Sequence, residues 1–248
     1  MSLLTSLQKV ATARATALLP ELLKKGKTEQ QCACIDFLFE KAVGNAGCLG
    51  KKKKGGCFGK ASMTMDEYCQ HVQNTVDNLF LKKRALAKIG LEEALISAIP
   101  PIALHTFLYT GSDVYCRSDA TEIGGIYRNV SNKYSVTWIF FSSTQIYTYT
   151  YIFDTISDNV LEYTKEFFYS DITCIKIEHQ VEELIIEKTK GCGCLSKKKQ
   201  DYEHHNKHWD TFQITVPGES YSFTCRSNEA IENSIRAANA IIRANKRS

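Results

Sequence analysis

The sequence contains no apolar run long enough to cross a bilayer, which takes roughly 18–20 residues. Its most apolar stretch, Ala94–Leu104, is short and is cut by Pro100-Pro101. No apolar run follows the first basic residue, so a secretory signal is not expected. Catalytic motifs are missing too. There is no G-x-S-x-G, no P-loop and no H-E-x-x-H, and Gly124-Gly125 does not open a dinucleotide fingerprint. A non-enzymatic role is expected, with Asp171 and His179 serving structure. Charge of one sign is also lacking. Residues 1–100 hold 15 Lys/Arg against 9 Asp/Glu, and residues 101–248 hold 16 against 18, for a net charge of +4. That imbalance is too small to demand nucleic acid as a partner.

The chain does hold ten cysteines. With no secretory signal they are expected to be reduced thiols of a cytoplasmic protein. Residues 1–20 carry Lys9 and Arg14, several Ser and Thr, and no acid, as a mitochondrial presequence would. The preferred expectation is the first helix of the folded domain.

Residues 1–101 read as a helical region. Leu3–Lys25 spaces its leucines helically, with Pro20 as a break and Gly26 as a stop. Thr28-Glu29-Gln30-Gln31 and Thr64-Met65-Asp66-Glu67 have capping-box spacing. After the first come Ile35, Leu38 and Phe39. After the second come Tyr68, Val72, Val76, Leu79 and Phe80, which predict one helix running on to Gly90. Leu91–Ile99 predicts a short helix ended by the two prolines.

From Ile102 the period becomes two. The centre of this half is Tyr134–Asp154, YSVTWIFFSSTQIYTYTYIFD, which has no Gly or Pro and breaks only at Ser142-Ser143-Thr144. Gln145, Tyr147, Tyr149, Tyr151 and Phe153 fall on one face, and Ile146, Thr148, Thr150 and Ile152 on the other. Other expected strands are Leu104–Tyr109, Asp113–Arg117, Glu122–Tyr127, Phe167–Ile177, Val181–Glu187, Thr211–Val216 and Ser220–Cys225. Pro217-Gly218 is a tight turn, and Lys188–His208 is a polar loop. A final helix is capped by Ser227 or Asn228 and buries Ile231, Ile235, Ala238, Ile241 and Ile242.

Strands closed by one C-terminal helix predict an α+β protein whose residues 102–248 form a bent antiparallel barrel. The segments TWIFFSSTQIYTYTYIFD, FFYSDITCIKIE, TFQITVPGESYSFTC and SNEAIENSIRAANAIIRANK resemble the pleckstrin-homology-like superfold, in its bacterial PH or GRAM-type variants. The resemblance covers about residues 104–247. It implies a barrel capped by the C-terminal helix, with the hairpin aromatics forming the core under that helix. The long loop at 188–208 departs from the pattern.

Two constellations carry site expectations. Cys192-Gly193-Cys194 followed by His204, His205 and His208 offers thiolates and imidazoles, the ligands of zinc. Convergence of Cys48, Cys57, Cys192 and Cys194 would make a Cys₄ zinc site. The spacing differs from a standard finger, and a solvated loop is the competing explanation. The second constellation is a repeated order of Gly-Cys-Leu, a small residue and poly-Lys. It places Lys51, Lys52, Lys53 and Lys54 in one loop and Lys197, Lys198 and Lys199 in another. Such loops beside a PH-like barrel would meet anionic lipid at about 1 kcal/mol per Lys. Their bland alternative is solubility.

The aromatic strand is not expected to stack nucleic acid, because residues 154–187 hold nine acids against two lysines. The leading expectation is a binding module for a protein, peptide or lipid. An edge between the hairpin and the C-terminal helix would accept a partner strand. A peripheral membrane adaptor and a zinc- or redox-responsive protein are the alternatives.

Overall fold

The computed structural model describes residues 19–39, 63–93, 96, 99–120, 127–189, 200–225 and 228–246. The chain is α+β. Among the described residues a short helical stretch at 19–23 is joined by four longer helices and nine strands: α1 (Glu29–Phe39), α2 (Met65–Asn78), α3 (Leu81–Ile89), β1 (Ile102–Phe107), β2 (Cys116–Ala120), β3 (Tyr127–Ser131), β4 (Lys133–Phe141), β5 (Gln145–Asp154), β6 (Val160–Phe168), β7 (Cys174–Thr189), β8 (Gln200–Val216), β9 (Glu219–Cys225) and α4 (Glu229–Asn245).

Both capping boxes form. The Thr28 hydroxyl accepts from Gln31 N–H at 3.2 Å while Gln31 accepts from Thr28 N–H at 3.0 Å. Thr64 and Glu67 do the same at the start of α2. These caps satisfy N–H groups that helix starts leave unpaired. Asn228 caps α4, accepting from Ile231 N–H at 3.0 Å.

The single helix expected from Thr64 to Gly90 is two helices. Tyr68, Val72 and Val76 are buried along α2, and Leu81 and Ala85 along α3. At about 100° per residue, Leu81 would sit some 140° from Val76 on an unbroken helix. The break at Leu79-Phe80 rephases the apolar stripe so that both helices face the same core. Phe80 takes the strain, in the left-handed region at φ 47°.

The strands form three antiparallel sheets: β1-β4-β5-β6, β2-β3 and β7-β8-β9. No barrel closes among the described residues. Alternation along the central hairpin sorts two cores. Val136, Phe140, Tyr149, Tyr151 and Phe153 pack against α1, α2 and α3. Ile139, Phe141 and Ile146 pack toward β7, β8, β9 and α4, where Ile231, Ile235, Ala238 and Ile242 close the second core. The parity expected of β5 holds, but the expected destination does not. Its aromatics lie under the N-terminal helices, and the face toward α4 is built of isoleucine, Phe141 and buried threonines. Thr137 and Thr150 answer each other there at 2.9 Å.

Three strand expectations are corrected. Phe167–Ile177 is the end of β6, a turn, and the start of β7. Val160–Phe168 escaped the pattern because most of it is exposed, so no apolar alternation marks it. Lys188–His208 is not a loop throughout, since residues 200–208 extend β8 and pair with 181–189. This ribbon runs past β9, which pairs only from Asp210 onward. Its register sets Glu182 opposite Lys207 and Lys188 opposite Asp201. Asp113–Arg117 is displaced to Cys116–Ala120, because the preceding backbone serves Asn132 instead of a ladder.

Asn132 is wholly buried. Its amide donates to Asp113 O at 3.1 Å and to Asp154 Oδ1 at 2.9 Å, and its side-chain oxygen accepts from Tyr115 N–H at 2.7 Å. Next to it the Tyr68 hydroxyl donates to Ser131 O at 2.8 Å and meets Thr155 Oγ1 at 2.8 Å. Further along, Arg84 binds Glu162 through two bonds, 2.7 and 3.2 Å, and Tyr149 Oη donates to the same carboxylate at 2.9 Å. The Arg84 guanidinium also lies 5.0 Å from the Tyr151 ring centroid.

Three outcomes follow from these contacts. Asn132→Ala strands several buried polar groups and should lower unfolding free energy by about 2–3 kcal/mol in urea titration. Phe80→Gly removes left-handed strain at an exposed position and should raise it by about 1 kcal/mol. The Arg84 bonds hold the Glu162 carboxyl below its usual range. Its stabilisation is therefore complete above the unfolded value of about 4.3 and is lost as pH falls through the lower folded value. Glu162→Gln should cost about 1 kcal/mol at neutral pH and almost nothing near pH 2. An equal cost at both would exclude the ion pair as its source.

Candidate interaction surface

Cys48, Cys57, Cys192, Cys194, Lys51, Lys52, Lys53, Lys54, Lys197, Lys198 and Lys199 lie outside the described residues. His204, His205 and His208 belong to β8, opposite Ile185, Leu184 and Val181. Strand alternation puts positions 204 and 208 on one face of the ribbon and 205 on the other. Among the described residues no three His, Cys, Asp or Glu side chains gather where they would hold a metal ion. None of the described helices is long and apolar enough to cross a membrane.

The other single residues have structural roles. Cys34 is buried in the helix-side core, which pushes its thiol up to about 12, so it acts as an apolar side chain. His179 Nδ1 sits 2.5 Å from Asp210 Oδ1 across the β7–β8 ladder. Asp171 lies in the turn after β6, its N–H on Phe168 O at 3.0 Å.

What the structure brings forward instead is β6. Seven large apolar side chains stand exposed among the described residues, and four of them are on this strand. They are Val160 at 51%, Leu161 at 56%, Tyr163 at 37% and Phe168 at 52%. β6 is also the end strand of its sheet, with β5 on one side and no paired strand on the other among the described residues.

The ladder parity can be read from its two ends. Asp154 N–H bonds Asn159 O at 3.3 Å, and Tyr169 N–H bonds Thr144 O at 3.0 Å. Both lie on the β5–β6 register, so odd-numbered residues of β6 exchange hydrogen bonds with β5. Val160, Glu162, Thr164 and Glu166 therefore turn their N–H and C=O outward, and Phe168 does so too, although its C=O already accepts from Asp171 and Ile172 N–H at 3.0 and 3.3 Å. The same parity sorts the side chains. Glu162, reached by Arg84, marks the even residues as facing the helices. Phe167 in the second core marks the odd ones, Leu161 and Tyr163 included, as facing the other way.

The remaining edges differ. The central hairpin has none, since β1 pairs with β4 and β6 with β5. On β7, the strand beside α4, Asn239 donates to Ile175 O at 3.1 Å and Lys246 to Thr173 O at 3.3 Å. The edge expected beside the C-terminal helix is thus already occupied at these positions by the helix's own side chains. Around β1 lie two shallow grooves. One, of about 690 Å³, runs between Ile99–Ala103 and α4. The other, of about 730 Å³, lies beneath the Phe80 corner, with Leu81, Ala103, His105 and Trp138 in its walls. Phe80 is 73% exposed at its rim, and burial lowers the His105 pKa.

Sequence reasoning missed β6. The available signal was its composition: VLEYTKEFF is rich in β-formers and free of Gly and Pro, although it does not alternate. Comparison with protein-family models, with curated proteins and with solved structures finds no match to this chain.

Proposed function

We propose that the protein is a non-enzymatic binding module that takes an extended segment of a partner protein as an added strand on β6. The observation that carries this reading is the concentration of exposed Val160, Leu161, Tyr163 and Phe168 on a strand with an unpaired edge. An edge of nine residues without Pro is a template for further pairing, and proteins usually blunt such edges with charge, proline or a bulge. Here the strand has no proline, and its end residues Val160 and Phe168 are apolar and exposed. Strand addition supplies affinity through the main chain and selectivity through alternate side chains.

A PH-like framework suits this role. Its support is the order of elements after the β2–β3 hairpin is set aside. A four-stranded antiparallel sheet is followed by a three-stranded one and then by a helix that packs between them. Against the resemblance stand the long β7–β8 ribbon and the separate sheets. The N-terminal helices would then act as a buttress, covering the aromatic face of the sheet and fixing β6 through Arg84.

The test exploits ladder parity. Thr164→Pro removes an outward N–H and leaves the β5 ladder intact, as proline is tolerated on an edge strand with its nitrogen facing solvent. Nine-residue peptides selected from a displayed library on the wild-type protein should bind Thr164→Pro at least tenfold more weakly, about 1.4 kcal/mol. The urea midpoint should barely move. Equal binding by a folded Thr164→Pro would overturn the proposal.

A further inference from the structure

Resting on that reading, we infer that the strand accepted by β6 is a basic amphipathic one. Its apolar residues would lie along Leu161 and Tyr163, and Lys or Arg would stand at the intervening positions along Glu162 and Glu166. The two faces of β6 differ in chemistry. On the odd face, Leu161 and Tyr163 are exposed beside the half-buried Ile152, directly opposite Leu161 on β5. Lys165, next on that face, is drawn away over the Tyr221 ring, 3.7 Å from its centroid. On the even face two carboxylates flank Thr164. Glu162 is matched by Arg84. Glu166 has only the Gln145 amide, at 3.4 Å, and no cation among the described residues.

The surroundings are acidic as well. From Asp154 to Gln180 there are six Asp or Glu against Lys165 and Lys176, and Lys176 is itself paired with Glu178. A strand laid along β6 strips water from Glu166, and a carboxylate losing water needs a cation beside it. The incoming strand must supply it.

The charge pattern bears on the occupant. A second copy pairing β6 to β6 antiparallel about Thr164 would set Glu162 against Glu166 of the other copy, twice over, and like charges directly opposite destabilise that register. Pairing about Tyr163 instead sets each Glu166 opposite Val160 and leaves it without a cation. An acidic strand meets the same repulsion. A basic strand of alternating pattern satisfies both faces and is steered to the site by the local field.

The experiment uses the full chain and three fluorescent nine-residue peptides: valine alternating with lysine, valine alternating with glutamate, and the valine/lysine composition in two blocks. Anisotropy titrations compare wild type with Glu166→Lys, Thr164→Pro and Leu161→Lys. The alternating lysine peptide should bind wild type best. Glu166→Lys should weaken it about tenfold, ~1.4 kcal/mol, and admit the glutamate peptide. Thr164→Pro and Leu161→Lys, two independent blocks of the edge, should each weaken the lysine peptide. If the glutamate or block peptide binds wild type as well as the alternating lysine peptide, or Glu166→Lys changes nothing, the basic preference is overturned. Strand docking survives that result provided the two edge variants still weaken binding. If folded edge variants bind like wild type, or no peptide binds at all, docking and preference fall together.

Discussion

The structure depends on one constraint: a central hairpin whose two faces must both be buried. In β4 and β5 nearly every side chain is wholly or partly hidden, whichever way it points. A sheet of this kind cannot stand with one face in water, so it needs a layer on each side. The chain provides them from opposite ends. Helices that precede the sheet cover the aromatic face, and the second sheet with its closing helix covers the other. The aromatic face suits helices because tyrosine and phenylalanine reach far enough to fill the uneven groove between cylinders and a sheet. The opposite face is smaller, made of threonine and isoleucine, and lets a second sheet and helix approach closely.

Burying both faces also strands polar groups at the seams, and these become the joints. Asn132 sits where β3 turns into β4 and stitches the 113–115 segment to the end of β5 through its side chain. Tyr68 carries a hydroxyl from α2 into the same seam. Arg84 reaches from α3 past Tyr151 to Glu162 on β6. The last two joints tie the helical layer to the sheet, so the helices orient the sheet as well as cover it. The Arg84–Glu162 joint also fixes the edge strand and pairs one of its two carboxylates.

Much of this was legible in the sequence, and the parts that were not share a physical cause. The capping boxes at Thr28 and Thr64, the Asn228 cap and stripe of α4, and the parity of β5 could be read because each rests on local chemistry or on one-sided burial. The partner of each face could not be read. Tyr149 and Ile146 announce opposite faces, but which cover each receives depends on tertiary assembly. The break at Phe80 was hidden for a related reason. The stripe from Tyr68 to Val76 continues plausibly through Leu79 and Phe80, and only the position of the core shows that it must rephase. Half of the β7–β8 ribbon was legible, since Val181–Glu187 reads as a strand, but residues 200–208 are almost wholly polar and carry no apolar alternation.

The same cause explains why the candidate site escaped. Hydrophobic patterning records burial within the chain. A strand whose apolar residues stay exposed in the folded chain shows β-formers without an alternating rhythm, as Val160-Leu161-Glu162-Tyr163 does. Its neighbours Phe167 and Tyr169, buried in the second core, pulled the expected strand toward the wrong half of the segment. Where intrachain burial is satisfied, pattern and structure agree. Where they part on β6, the exposed apolar surface lies on a strand whose second edge is unpaired among the described residues. A carboxylate with no cation among those residues lies there too. These three deficits of the isolated chain are ones that a single basic strand would meet.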